Sequence, residues 1–191
     1  MPGLLGGTFD PPHYGHIALA EAAMKELGLD RIMFIPAHMP PHKNSAQVSS
    51  KSNRLAMLRL ALEDHPAFEI SDIEFERAGP SYTIDTIRRL KKRCPGEEFV
   101  FLLGTDNVAE MEGWYQPERI FDEVMVAAVN RPGFAPEGRF VSMIRYFDMP
   151  PLDISSTMIR QKIKARRSVA GLLPPKVEKY IIENDLYKNN G

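Results

Sequence analysis

Cysteine is nearly missing from this chain: Cys94 is the only one among 191 residues. One cysteine excludes an internal disulfide framework and a Cys-rich zinc site, and it suits a reducing compartment. No run of about 18 apolar residues occurs, so no membrane-spanning helix is expected. A basic stretch leading into a long apolar one, the mark of a signal peptide, is lacking at the N-terminus, and a cytoplasmic location is expected. Neither charge sign is in excess, since 24 Lys and Arg against 25 Asp and Glu leave a formal net charge of −1. A chain so balanced has no global basic field for nucleic acid, and the basic cluster at 162–167 reads as a solvated helix end. Repeats and low-complexity tracts are absent. So are a GxxxxGK[ST] loop and a GxGxxG fingerprint.

What is present is ordinary in amount and informative in order. Apolar residues make up 43%, enough for a substantial core in one domain spanning 1–191. Short, continuous apolar runs at 32–35, 99–103 and 124–129 read as strands buried on both faces, and 3–5 as a very short one. Between them lie segments with helical periodicity at 14–27, 82–93, 155–164 and 175–184, and a further helix that Asn53 could cap. Residues 68–75 read as a strand with a bulge, and 140–147 as another strand. Alternating strands and helices predict a Rossmann-like α/β fold. Its sheet is doubly wound and mostly parallel, helices cover both faces, and a small helical part ends the chain. Ligands of such sheets bind at the carboxyl ends of the strands, so the segments following 3–5, 32–35, 99–103 and 124–129 should converge.

The first of those segments carries the strongest signal: Gly6-Gly7-Thr8-Phe9-Asp10-Pro11-Pro12-His13-Tyr14-Gly15-His16. Two glycines let the backbone approach an anion closely, although a Gly pair after a strand is often only a turn. His13 and His16 stand three apart at a helix start, where free N–H groups and the helix dipole favour negative charge. A lone histidine there would be read as a cap or a core residue. Two of them around Gly15 point to a held phosphate.

The run resembles the HxGH signature of the nucleotidylyltransferase superfamily, and in its full extent it is similar to bacterial nicotinate-nucleotide adenylyltransferases. Pro40-Pro41-His42-Lys43 resembles that family's PPHK loop, and residues 79–86 its GPSYTIDT segment. Gly104-Thr105-Asp106 followed by Trp114-Tyr115 resembles its GxD…W[YF] pair, and Arg131-Pro132-Gly133 its RPG. Residues 154–160 resemble the superfamily's ISSTxIR motif. The likeness extends to Leu172-Leu173-Pro174 and residues 182–187. One departure is the first strand, less apolar here than in the family.

The resemblance implies transfer of the adenylyl group of ATP to nicotinic acid mononucleotide, with Mg²⁺ as cofactor and no nucleic acid or membrane partner. Self-association into a homo-oligomer is left open. It implies His13, His16, Lys43 and Arg160 on the phosphate chain. ATP would meet Gly6, Gly7, Thr8, Phe9, Gly104, Asp106, Ile154, Ser155, Ser156 and Thr157. Tyr82, Thr83, Trp114, Tyr115 and Arg131 would meet the mononucleotide, with no metal ligand from the protein. Three competing readings remain: the same transfer to nicotinamide mononucleotide or phosphopantetheine, a non-catalytic nucleotide sensor, and an RNA-binding HxGH relative. Bland readings also stand for single residues: Ser155 as a helix cap, Trp114 as a core anchor, Lys43 as a solvated lysine.

Overall fold

Six strands, all parallel, pair in the order β3-β2-β1-β4-β5-β6. They are β1 (Gly3–Gly7), β2 (Ile32–Pro36), β3 (Phe68–Ile70), β4 (Val100–Leu103), β5 (Met125–Asn130) and β6 (Arg145–Asp148). The helices are α1 (Tyr14–Leu27), α2 (Lys51–Leu62), α3 (Thr83–Arg93), α4 (Thr105–Glu110), α5 (Pro117–Glu123), α6 (Ser156–Lys164) and α7 (Pro175–Glu183). The computed structural model describes residues 1–39, 48–77, 79–130 and 137–188.

The side-chain period of two divides the apolar runs between the two faces of the sheet. Leu5, Phe34, Val100, Leu102, Ala127, Val129 and Phe147 pack into one core with residues of α1, α2, α6 and α7. Leu4, Ile35, Phe101, Leu103, Val126 and Ala128 pack into the other, with α3 and α5. Each large side chain so enclosed contributes about 1.5–3 kcal/mol. No described helix is long and apolar enough to cross a membrane.

The short, weakly apolar first strand has a packing reason. β1 lies in the middle of the sheet, and a Cβ on Gly3 would stand 2.7 Å from Ile32 Cδ1 and 2.9 Å from Leu102 and Leu29. Its neighbours fill the space a side chain would need. The strand also runs on through both later glycines, because Gly6 and Gly7 pair with Ile35 and Pro36.

Several local expectations are corrected. Ser50, not Asn53, caps α2: its Oγ accepts the Asn53 N–H at 3.2 Å. Residues 68–75 are not one bulged strand. β3 stops at Ile70, paired with Phe34, and Ile73–Glu76 wind into a 3₁₀ turn that buries Ile73 and Glu74. The run at 140–147 likewise divides into a 3₁₀ turn at Val141–Met143 and β6. The sequence reading missed α4 and α5, helices of six and seven residues, which are too short to display a helical period.

β1 and β4 are adjacent, yet the chain leaves β1 toward β2 and leaves β4 toward β5. Loops at their carboxyl ends therefore part in opposite directions and open a crevice between them.

Candidate active site

A cleft of about 1070 Å³ lies over that crevice. Gly6, Gly7, Thr8, Phe9, His13, Gly15 and His16 form one wall, and Ile154, Ser155, Ser156 and Thr157 form the wall opposite. Tyr82, Thr83, Gly104, Trp114 and Tyr115 line the remainder. Among the described residues, the strand-end segments expected to converge do so at Gly6, Gly7, Ala37, Gly104 and Asn130, while residues 40–47 and 131–136 lie outside them.

The first wall is built by a tight path from strand to helix. Phe9 takes a left-handed backbone, φ 50°, at a cost of about 1–2 kcal/mol for a non-glycine residue. The conformation is repaid by its ring, which is 1% exposed. The ring packs on Phe34 at 5.6 Å and edge-on to His16 at 5.0 Å. Arg54 secures the same turn from below. It is 2% exposed, and its guanidinium donates to Thr8 O (3.1 Å), Ala37 O (2.7 Å) and Ser49 O (3.2 Å). Burial lowers the pKa of this guanidinium.

His13 is the N-cap of α1 and His16 its third residue. The His13 N–H donates to His16 Nδ1 at 3.2 Å, the backward half of a capping box. His16 therefore keeps Nδ1 free of a proton and carries its hydrogen on Nε2. The forward half is only an approach, because the His16 N–H is taken by the His13 carbonyl at 2.9 Å. His13 Nδ1 is left buried without a hydrogen-bond partner. The two rings lie 3.7 Å apart. Burial pushes the His13 pKa down from 6.5 to about 4, so the ring is neutral near pH 7. Gly15 is required by the same packing: a Cβ there would stand 2.9 Å from His13 Nδ1 and 3.0 Å from Cε1.

The opposite wall is the start of α6. Ser155 caps it, its Oγ accepting the Met158 N–H at 3.1 Å. Ser156 Oγ donates to Pro11 O at 2.9 Å, which ties this helix start to the first wall. Two helix N-termini thus face one cleft, an arrangement suited to a chain of phosphates. Arg160, one turn into α6, does not line the cleft. Its Nη1 donates to Asp10 O (2.8 Å) and its Nη2 to Thr157 Oγ1 (3.3 Å).

At the far end stand aromatic rings. Tyr82 lies 4.6 Å from Tyr115, and Trp114 is edge-on to Phe101 at 6.1 Å. Trp114 is half-buried and lines the cleft. Tyr82 precedes α3, so the first N–H groups of that helix lie beside the rings. Lys43 and Arg131 lie outside the described residues. Asp106 is the second residue of α4, and its side chain is likewise outside what is described.

Sequence reasoning missed several residues that build the site. Glu74, 7% exposed, accepts the Thr86 hydroxyl at 2.7 Å and the His38 N–H at 3.3 Å in the cleft wall. Ser81 Oγ accepts the N–H groups of His38 (2.9 Å) and Met39 (3.2 Å). Asp10 is buried behind the histidines. For Arg54 a signal existed. It falls on the stripe of α2 that buries Met57, Leu58, Ala61 and Leu62, and a charge on an apolar stripe announces a buried partner.

Comparison with known proteins gives the family and the fold. Residues 4–162 match the cytidylyltransferase-like family. The nicotinate-nucleotide adenylyltransferase of Bacillus subtilis is 39% identical over 187 residues, 98% of each chain. A protein of Exiguobacterium sibiricum named "Probable nicotinate-nucleotide adenylyltransferase" is 46% identical over 188 residues, 97% of each chain. Among solved structures, Plasmodium falciparum nicotinic acid mononucleotide adenylyltransferase complexed with NaAD has the same fold. Its TM-score is 0.84 at 19% identity, over 97% of this chain and 96% of that one.

Proposed function

Because this chain belongs to the nicotinate-nucleotide adenylyltransferases, within the cytidylyltransferase-like family, we infer that it moves the adenylyl group of ATP onto nicotinic acid mononucleotide. Deamido-NAD and pyrophosphate are the products, and the place of the reaction is NAD biosynthesis. A phosphate oxygen of the mononucleotide attacks the α-phosphorus of ATP. The bond from that phosphorus to the bridging oxygen breaks, and pyrophosphate leaves with the electron pair. The attacking oxygen is already anionic, so the reaction needs no general base, and positioning with charge stabilisation supplies the catalysis.

The observation that carries this reading is the pair of helix starts, α1 and α6, lining one cleft, with His13 and His16 at the first of them. His16 would offer its Nε2 hydrogen to a phosphate oxygen. Its Nδ1 is held by the His13 N–H, so the donor is fixed in direction. His13 is neutral near pH 7 for reasons of burial, and its place in the cleft lining makes it another candidate contact for the triphosphate. We assign Gly6, Gly7, Thr8, Phe9, Gly104, Asp106, Ile154, Ser155, Ser156 and Thr157 to ATP, and Lys43 and Arg160 to the phosphate chain. For Arg160 this role requires that the guanidinium leave Thr157 or use its remaining hydrogens. At the aromatic end, Trp114 and Tyr115 would stack on the pyridine ring, with Tyr82, Thr83 and Arg131 toward its carboxylate.

Mg²⁺ would come with the triphosphate and offset its charge. Among the described residues, no group of three His, Cys, Asp or Glu could cage a metal ion, and hard, hydrated Mg²⁺ commonly arrives on substrate phosphates. Residues 1–191 are taken to work as one domain, and the cytoplasm as its compartment.

The test is direct. The protein is incubated with ATP and Mg²⁺ and offered nicotinic acid mononucleotide, nicotinamide mononucleotide or phosphopantetheine in turn, and pyrophosphate release is followed. Release with the first acceptor in preference to the others is expected, and His16→Ala should lower kcat by about 10²–10³-fold, as for loss of one fixed oxyanion donor. Release with none of them would leave a nucleotide-binding sensor. A His16→Ala enzyme with wild-type turnover would remove His16 from the mechanism.

A further inference from the structure

The mechanism above gives no task to Asp10, a carboxylate that is 3% exposed and adjoins the phosphate wall without lining the cleft. Its partners come from three distant parts of the chain. The Tyr187 hydroxyl donates to Oδ1 at 2.5 Å, the Ser49 N–H to Oδ2 at 3.0 Å, and Arg160 Nη1 to its backbone carbonyl at 2.8 Å.

We propose that Tyr187, in the segment after α7, is a positioning residue for the phosphate site: its hydroxyl holds Asp10, and Asp10 holds the turn that presents His13 and His16. The proposal rests on the adenylyl-transfer reading for its kinetic consequence and on contacts alone for its structural one.

The geometry favours a specific role for the hydroxyl. Asp10 lies between Phe9, whose backbone is left-handed, and the cap residue His13. A turn of that kind does not hold itself and depends on its surroundings. Ser156 Oγ grips Pro11 O from α6, and Arg54 grips Thr8 O from α2. Arg160 grips Asp10 O from α6. The carboxylate of Asp10 is a further handle, and Tyr187 takes one of its oxygens while the Ser49 N–H takes the other. The chain after α7 is shaped for this contact. Asp185 and Tyr187 both have left-handed backbones, φ 51° and 63°, and Leu186 between them packs against the core. The Tyr187 ring packs beside Met57, with its hydroxyl 3.8 Å from the sulfur. A phenylalanine would fill that space equally well, so packing alone does not call for the hydroxyl. The buried phenol remains protonated at working pH, since burial and the Asp10 charge both raise its pKa. It therefore acts as a donor throughout.

A matched control is present. Tyr180, on α7, donates its hydroxyl to Asn53 Oδ1 of α2 at 3.0 Å, away from the cleft. Tyr187→Phe and Tyr180→Phe each remove one hydroxyl that ties the end of the chain to the rest. Tyr187→Phe should lower kcat about tenfold while KM for the mononucleotide stays within twofold, and it should move the imidazole NMR signals of His13 and His16. Tyr180→Phe should lower the melting temperature comparably and leave kcat and both imidazole signals unchanged. Asp10→Asn provides a second arm. It should lose at least as much kcat as Tyr187→Phe, and the double variant should lose no more than Asp10→Asn alone. Unmoved imidazole signals in Tyr187→Phe, a kcat equal to that of Tyr180→Phe, or losses that multiply in the double variant would each overturn the proposal. A wild-type protein that releases no pyrophosphate would overturn the functional reading instead, and the imidazole signals would still decide whether Tyr187 positions the histidines.

Discussion

Gly15→Ala separates stability from catalysis at one carbon atom. The added Cβ would lie 2.9 Å from His13 Nδ1, 3.0 Å from its Cε1 and 3.5 Å from Ile154 O. Carbon and ring atoms rest at about 3.5 Å, so the His13 ring must retreat by roughly 0.5 Å. Behind it stands the His16 ring, with centroids 3.7 Å apart, so both donors move. Two effects on stability oppose each other. Alanine inside a helix is favoured over glycine by about 1 kcal/mol, and the overlap costs about 1–3 kcal/mol. The net loss is at most about 2 kcal/mol, or several degrees of melting temperature. Catalysis has no such compensation, because a misplacement of about 1 Å can cost 10²-fold. We expect kcat for pyrophosphate release to fall ten- to a hundredfold while the protein still melts cooperatively within several degrees of wild type. Wild-type kcat in Gly15→Ala would refute the reasoning, as would a collapse in melting temperature with turnover per folded molecule unchanged.

Three further outcomes follow from the same geometry. Unfolded His13 takes up a proton below its ordinary pKa of 6.5, whereas burial delays this to about 4 in the fold. The unfolded state thus binds more protons between those values, and stability should drop by about 3 kcal/mol as pH falls from 6.5 to 4; urea unfolding across that range should show a shallower slope in His13→Gln. Trp114→Ala should raise KM for the mononucleotide about 5–30-fold through lost stacking and burial and barely alter KM for ATP, and equal changes in both would make Trp114 a structural residue only. Arg54→Met strands the carbonyls of Thr8, Ala37 and Ser49. It should cost about 3 kcal/mol or more, read by chemical denaturation, and a near-neutral result would mean that water replaces the guanidinium.

Much of the fold was legible because the signals were local. Apolar runs of four to six residues in a sheet covered on both faces read directly as β2, β4 and β5, and the order of elements implied a parallel sheet. The failures share a cause as well. β3 and β6 are edge strands with one pairing partner each, and their own residues do not mark where pairing stops: β2 runs on to Pro36 although its pairing with β3 ends at Phe34. Helices α4 and α5 span barely two turns and display no stripe. The site divides in the same manner. His13, Gly15 and His16 lie within one turn and can be read together. Asp10 and Tyr187 are 177 residues apart, and neither residue type by itself suggests the other. Arg54 lies between these cases, visible as a charge on an apolar stripe but silent about the carbonyls it serves.

The bond from Ser156 to Pro11 spans 145 positions of the chain. Translation delivers the amino end first, so the histidine wall of the cleft emerges from the ribosome long before the helix that faces it. Until α6 has been made, the growing polypeptide lacks the cleft wall that Ile154 and Ser155 supply beside Gly15. Adenylyl transfer is therefore a property that arrives late in synthesis. A chain that stalls before Ser156 carries every residue of the HxGH run and should still be unable to use it.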